Sequence, residues 1–166
     1  MARAICLRML SSQPRTRAEL AEALASKNVP GDAAAAVLDR FGEVGLIDDA
    51  AFANAWVETR HRGRGLARRA LAAELRNRGI DDGVAQAALG QVDDESEEAA
   101  ARALAARKVA ATRGLPLQSR VRRLAGVLAR KGYPQGVAFR VAREALEADG
   151  AAGGEELEAL GGSAEE

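Results

Sequence analysis

The sequence predicts an all-α protein: three tandem three-helix repeats forming an elongated, curved array. Three observations lead there. First, the apolar content of this 166-residue chain rests on Ala and Leu, and its aromatics are Trp56, Tyr133, Phe41, Phe52 and Phe139. Ala and Leu lose little freedom in a helix, and β-branched runs of strand type are absent. Second, Leu20-x3-Leu24-x3-Asn28-Val29 recurs as Leu71-x3-Leu75-x3-Gly79-Ile80 and again as Leu124-x3-Leu128-x3-Gly132-Tyr133, at spacings of 51 and 53 residues. Third, each copy runs into a turn signal: Pro30-Gly31-Asp32, Asp81-Asp82-Gly83 and Pro134-Gln135-Gly136. A triplet of short, Ala-rich helices buries little area alone, so stacked neighbours must supply the rest, as in other repeat arrays.

The elements follow in order. In repeat 1, over 1–47, a first helix presents Ile5, Leu7, Met9 and Leu10. Thr16-x-x-Glu19 has the spacing of a capping box and opens the helix of Leu20 and Leu24. A third helix runs from Ala33 to Phe41. In repeat 2, over 48–92, Asp48 or Asp49 caps the helix carrying Phe52, Trp56 and Val57. Phe52 and Trp56 lie four apart on one face and are expected to be mostly buried. The Leu71/Leu75 helix and a helix from Val84 to Leu89 complete the triplet. In repeat 3, over 93–148, a longer helix begins near Ser96 and uses Leu104 and Val109; the Leu124/Leu128 helix and one from Val137 to Leu146 follow. Leucines four apart share a helix face. The Gly79 and Gly132 positions, held by Asn28 in copy one, suit a left-handed C-terminal cap followed by an apolar staple. Residues 149–166 read as an acidic, Gly/Ala-rich disordered tail.

Charge is segregated. The chain as a whole has a formal net charge of zero, yet Arg102 to Arg143 holds eleven Lys or Arg and no acid. The acids lie on either side, in Asp93-Asp94-Glu95-Ser96-Glu97-Glu98 and in the eight carboxylates from Glu144 to Glu166. Such asymmetry speaks of partners more than of fold. The candidate partner-binding bases of copy two are Arg60, Arg62, Arg64, Arg68, Arg69, Arg76 and Arg78. Those of copy three are Arg107, Lys108, Arg113, Arg120, Arg122, Arg123, Arg130, Lys131 and Arg140. Of these, Arg68, Arg69, Arg76, Arg122, Arg123 and Arg130 are expected to point outward beside the leucine stripes. Copy one has Glu19 and Glu22 on the matching helix and no continuous basic face. Arginine suits bidentate contacts to phosphate or carboxylate. Few aromatics interleave with the bases, so stacking on a single strand is not supported.

No catalytic constellation is present. There is no Walker loop, no Gly-x-Ser-x-Gly and no Ser-His-Asp order. Gly63-x-Gly65 follows no strand and lacks a third glycine, so it reads as a corner rather than a dinucleotide fingerprint. A metal site at Asp48 and Asp49 fails for want of partners, because His61 is the only histidine. Neither cofactor nor metal is expected. Cys6 stands alone and reads as a small buried hydrophobe. The N-terminal segment carries arginines where a signal peptide would be apolar, and no stretch approaches a membrane span. A cytoplasmic protein is expected.

The most specific block is Phe41-x3-Gly45-Leu46-Ile47-Asp48-Asp49-x-x-Phe52-Ala53. With Arg60-His61-Arg62-Gly63-Arg64-Gly65, Leu71-x3-Leu75-x3-Gly79-Ile80 and Leu128-Ala129-Arg130-Lys131-Gly132-Tyr133, it makes the chain similar to RecX, the family of bacterial regulators of the recombinase RecA. The resemblance covers about residues 2–148. It implies tandem three-helix repeats that bind in the helical groove of the RecA–DNA filament and limit its growth, ATPase and strand exchange. It also implies a place in homologous recombination, DNA repair and the SOS response. The implied partners are the RecA filament and single- or double-stranded DNA, met by a monomer that is not an enzyme. The basic faces would meet acidic RecA surfaces, DNA phosphates or both. The structural positions would be Asp48, Asp49, Phe52, Trp56, Leu71, Leu75, Gly79, Leu124, Leu128 and Gly132. The rival reading is a stand-alone nucleic-acid-binding helical repeat protein. Asn28 and the acidic tail depart from the family pattern.

Overall fold

The structure is a computed structural model that describes residues 1–151 and 154–160. The nine expected helices are α1 (Ala2–Ser12), α2 (Arg17–Ser26), α3 (Gly31–Glu43), α4 (Asp49–Arg64), α5 (Arg68–Asn77), α6 (Asp82–Leu89), α7 (Asp94–Lys108), α8 (Leu117–Arg130) and α9 (Gln135–Ala148). A 3₁₀ turn, Val109–Thr112, extends α7. No strand occurs among the described residues.

Part of the expected disordered tail has structure. Gly154–Ala159 form a short helix, α10, and Leu157 is buried in the core of the third triplet. One leucine with an apolar cleft to fill overrides a polar composition. Ala152, Gly153 and residues 161–166 lie outside the described residues.

The leucine pattern marks the core. Leu20, Leu24, Leu71, Leu75 and Leu128 have no exposed surface, and Leu124 has almost none. After each pair the chain closes the helix in the same way. Asn28, Gly79 and Gly132 adopt φ of 57°, 75° and 94°. The amides of Val29, Ile80 and Tyr133 then donate back to the carbonyls of Leu24, Leu75 and Leu128 at 3.0–3.2 Å. This is the Schellman closure, in which a left-handed residue satisfies the last orphan carbonyls. Thr16 and Glu19 form the expected capping box. The cap of α7 is Asp93, whose carboxylate accepts from the Ser96 amide at 2.7 Å; that contact also draws the Asp93 carboxyl below its ordinary pKa.

The chain forms two compact units. The first comprises Met1–Thr59 with Ala72–Gln91, and the second Arg60–Leu71 with the residues from Val92 onward. Each contains one junction between consecutive repeats, and the two junctions join equivalent helix ends.

In the first unit, the Arg78 carbonyl accepts from the Thr16 hydroxyl at 2.7 Å and the Arg17 amide donates to Asp49 at 2.9 Å. In the second unit, the Lys131 carbonyl accepts from the Ala67 amide at 2.9 Å and the Arg68 amide donates to Glu97 at 3.0 Å. Orphan groups at the start and end of equivalent helices are thus satisfied by the neighbouring repeat. The same geometry brings the cap glycines close to the preceding repeat. A Cβ on Gly79 would lie 2.3 Å from Ala18, and one on Gly132 would lie 2.6 Å from the Ala70 Cβ. In copy one Asn28 takes the equivalent left-handed position.

The two aspartates of the 48–49 block divide the work. Asp48 accepts from the Ala51 amide at 3.0 Å and caps α4, while Asp49 caps α2 of the preceding repeat. Phe52 and Trp56 differ from expectation. Both are half-buried, and the buried positions of α4 are Ala53 and Val57. The rings stack with centroids 5.6 Å apart. The Trp56 Nε1 donates to Glu74 at 2.8 Å and the Arg78 guanidinium lies 4.5 Å over the indole. A polar handle needing a partner holds the indole at the surface.

Candidate partner-binding site

The basic residues divide into those that the fold pairs with acids and those that stand exposed. Arg120 is 8% exposed, not outward. It donates through Nε to the Thr112 hydroxyl at 2.9 Å and through Nη2 to Asp149 at 2.9 Å. Arg113 meets the same carboxylate at 2.5 Å. The two guanidiniums hold the Asp149 carboxyl down at about 2. Arg68 pairs with Asp94 and with Glu97, the latter at 2.9 Å. Arg78 pairs with Glu19. Arg140 pairs with Glu98 and, at 3.2 Å, with Glu144, which also accepts from Arg102 at 3.0 Å. The acids at the start of α7 and the end of α9 are therefore counter-charges for bases that the sequence pattern assigns to partners. Spacing along the chain hides most of this, because apart from Arg140 with Glu144, four positions on, these pairs lie 26 to 59 residues apart.

Arg69, Arg122, Arg123 and Arg130 are different. They are exposed and have no ion-pair partner among the described residues. Arg64, Arg76, Arg107 and Lys108 are exposed as well, and Lys131 is half-buried. Arg60 is half-buried and Arg62 exposed at the end of α4, and both make contacts within the chain. In that corner His61 Nδ1 lies 2.9 Å from the Leu66 carbonyl.

The second unit builds a groove of about 680 Å³ beside these free arginines. Arg69, at the start of α5, and Arg122, on α8, stand on its lining. Ala125, Gly126, Ala129 and Gly132 also line it, and Gln135, Ala138 and Phe139 contribute from α9. The apolar stripe of α8 (Val121, Leu124, Ala125, Leu128) faces the core. That turns the row Arg122, Gly126, Arg130, spaced by four, toward solvent. A Cβ on Gly126 would lie 3.4 Å from Arg130 Nη1, so that guanidinium lies along the row. Small residues let a partner approach the helix backbone, and flanking guanidiniums offer bidentate donors to phosphate or carboxylate.

Tyr133 also lines the groove. It is buried, and its hydroxyl donates to the Gly65 carbonyl at 2.7 Å. Burial, with the Glu97 charge adding to it, pushes the phenol up to about 12.

Among the described residues no cluster of His, Cys, Asp and Glu is placed to hold a metal ion, and no helix is long and apolar enough to cross a membrane. The fold and site define a helical-repeat protein with exposed arginines beside a groove of small residues. Three family models match in succession: the first three-helix domain of RecX over residues 2–41, the second over 48–89 and the third over 95–142. The chain belongs to the RecX family. It is 60% identical over 149 residues to the regulatory protein RecX of Thermobifida fusca (strain YX), covering 90% of this chain and 80% of that one. It is 59% identical over 160 residues to that of Streptomyces coelicolor, covering 96% and 83%. Among solved structures, RecX from Lactobacillus salivarius superposes with a TM-score of 0.76 over 87% of this chain and 94% of that one, at 22% identity. A crystal structure of regulatory protein RecX gives 0.73 over 84% and 69%, at 26% identity.

Proposed function

We propose that this chain regulates RecA by lodging, as a monomer in the cytoplasm, in the groove of the RecA–DNA filament. There it limits filament growth, ATP hydrolysis and strand exchange without catalysis of its own. Its membership of the RecX family supports this reading. So does one structural observation: Arg69, Arg122 and Arg130, lacking ion-pair partners among the described residues, flank a groove with a small-residue floor. The groove presents donors to DNA phosphates or to carboxylates on RecA.

The test is DNA-dependent ATP hydrolysis by RecA with this protein at a substoichiometric ratio. Wild type should slow hydrolysis, and Arg69→Glu/Arg122→Glu/Arg130→Glu should abolish the effect while leaving the helical spectrum intact. Reversals at Arg15 and Arg17 in copy one should do less. A triple variant that inhibits like wild type would remove the groove from the mechanism. Tight DNA binding that falls steeply with salt and ignores RecA would favour a stand-alone nucleic-acid binder instead.

A further inference from the structure

We propose that the first compact unit carries a separate protein-docking groove, apolar with a basic rim, for a partner segment that has an apolar anchor flanked by carboxylates. The proposal rests on the preceding reading in one respect: the segment belongs to the RecA subunits of the filament.

The starting observation is apolar surface with no packing role. Among the described residues the exposed large hydrophobics are Met1, Leu7, Val44, Leu46 and Leu115, and only Leu115 lies outside the first triplet. Val44 and Leu46, 51% and 49% exposed, wall a groove of about 400 Å³ with Val37 and Phe41. Leu46 sits inside the most specific sequence block, and the fold accounts for its neighbours. Gly45 takes φ of 77°, Ile47 is in the core, and Asp48 and Asp49 cap two helices. Leu46 follows the left-handed residue that ends α3, where an apolar contact back to Phe41 is usual, but half of its surface remains in water. Val44 has no such contact to make. Exposed apolar side chains gathered in a concavity mark an interaction site.

Charge chooses the occupant. The lining carries two cations, Arg3 and Arg40, and no acid. Arg3 has no ion-pair partner among the described residues. Arg40 meets only Glu43, at 3.2 Å with both side chains exposed, a surface pair of little worth that a better carboxylate displaces. A second copy of this chain is disfavoured, because a two-fold contact would set these cations against themselves. Nucleic acid is disfavoured by the apolar walls, since its interfaces are more polar and more positively charged.

The test compares three proteins: wild type, Val44→Asp/Leu46→Asp, and Arg3→Glu/Arg40→Glu. Each is measured for affinity to RecA filaments on DNA, affinity to bare DNA, thermal unfolding and solution mass. Both variants should bind filaments about tenfold or more weakly, the loss of an anchor in a contact centre. Bare-DNA affinity and unfolding midpoint should be unchanged. Filament affinity within twofold of wild type would overturn the proposal and leave the preceding reading standing. Loss by the apolar variant with none by the charge variant would overturn the acidic partner. A changed solution mass would assign the groove to a second copy and overturn it too. Wild type that does not bind filaments at all would bring down both readings together.

Discussion

Replacing Gly132 by Ala tests whether repeat junctions are set by backbone approach. Two costs arise. Gly132 has φ of 94°, where an L side chain is strained by roughly 1–2 kcal/mol. The added methyl also lies 2.6 Å from the Ala70 Cβ, 2.8 Å from its amide nitrogen and 3.2 Å from its Cα. Two of those atoms are backbone, so the neighbour cannot rotate away, and overpacking of this kind costs about 1–3 kcal/mol. The expected loss is about 2–5 kcal/mol in urea unfolding followed by helical circular dichroism. Gly45→Ala supplies the control: Gly45 also follows a helix end with φ of 77°, but an added Cβ there meets nothing within 4 Å, so only the strain of roughly 1–2 kcal/mol applies. Pairing Gly132→Ala with Ala70→Gly removes the methyl–methyl clash and should recover part of the loss, not all. If Gly132→Ala costs no more than Gly45→Ala, the close approach does not govern the junction.

Other substitutions test the remaining contacts. Trp56→Ala should cost about half of the ~3–5 kcal/mol typical of a fully buried aromatic, with indole fluorescence partly quenched by acrylamide; complete quenching or none would contradict the half-buried position. Tyr133→Phe should cost about 1–3 kcal/mol by orphaning the Gly65 carbonyl. Because the Tyr133 phenol is raised in the fold, stability should also fall as pH rises from about 10 towards 12 in wild type and lose that dependence in the variant. Asp149 is depressed to about 2, so its contribution is present above the ordinary carboxylate pKa of ~3.9 and lost as pH falls towards 2; Asp149→Asn should flatten that limb of an acid titration of helicity. Arg120→Ala should lower the unfolding midpoint more than Arg113→Ala, since their side chains are 9% and 63% exposed.

The helices were legible because local physics sets them. Leucines at a spacing of four define a buried face, and Gly or Asn at its end defines the left-handed closure; both depend on residues within one or two turns. The boundaries of the units were not legible. Arg60–Leu71 joins the second unit while Ala72–Gln91 joins the first, an outcome of three-dimensional packing that no local signal records. Trp56 was misplaced for a related reason: size and spacing favour burial, whereas its ring nitrogen and the cation of Arg78, 22 positions on, hold it at the surface.

Charge shows the same limit more sharply, and it decides how the site is understood. A run of bases without acids looks like one continuous surface for a partner. In the fold, Arg68, Arg78, Arg113, Arg120 and Arg140 each meet acids from distant elements, and Asp149 accepts from two of them. These pairs are structural, and reversing such a base would act on a partner only through stability or local geometry. Arg69 on α5 and Arg122 on α8 differ: the fold sets them on a groove lined by small residues and by no acid. Charge reversal at Arg68 and at Arg69, adjacent in sequence, should therefore separate the two roles: unfolding midpoint for the first, affinity for an anionic partner for the second. Equal loss of filament affinity from both, with unchanged stability, would mean that the internal ion pairs do not divide the basic residues in this way.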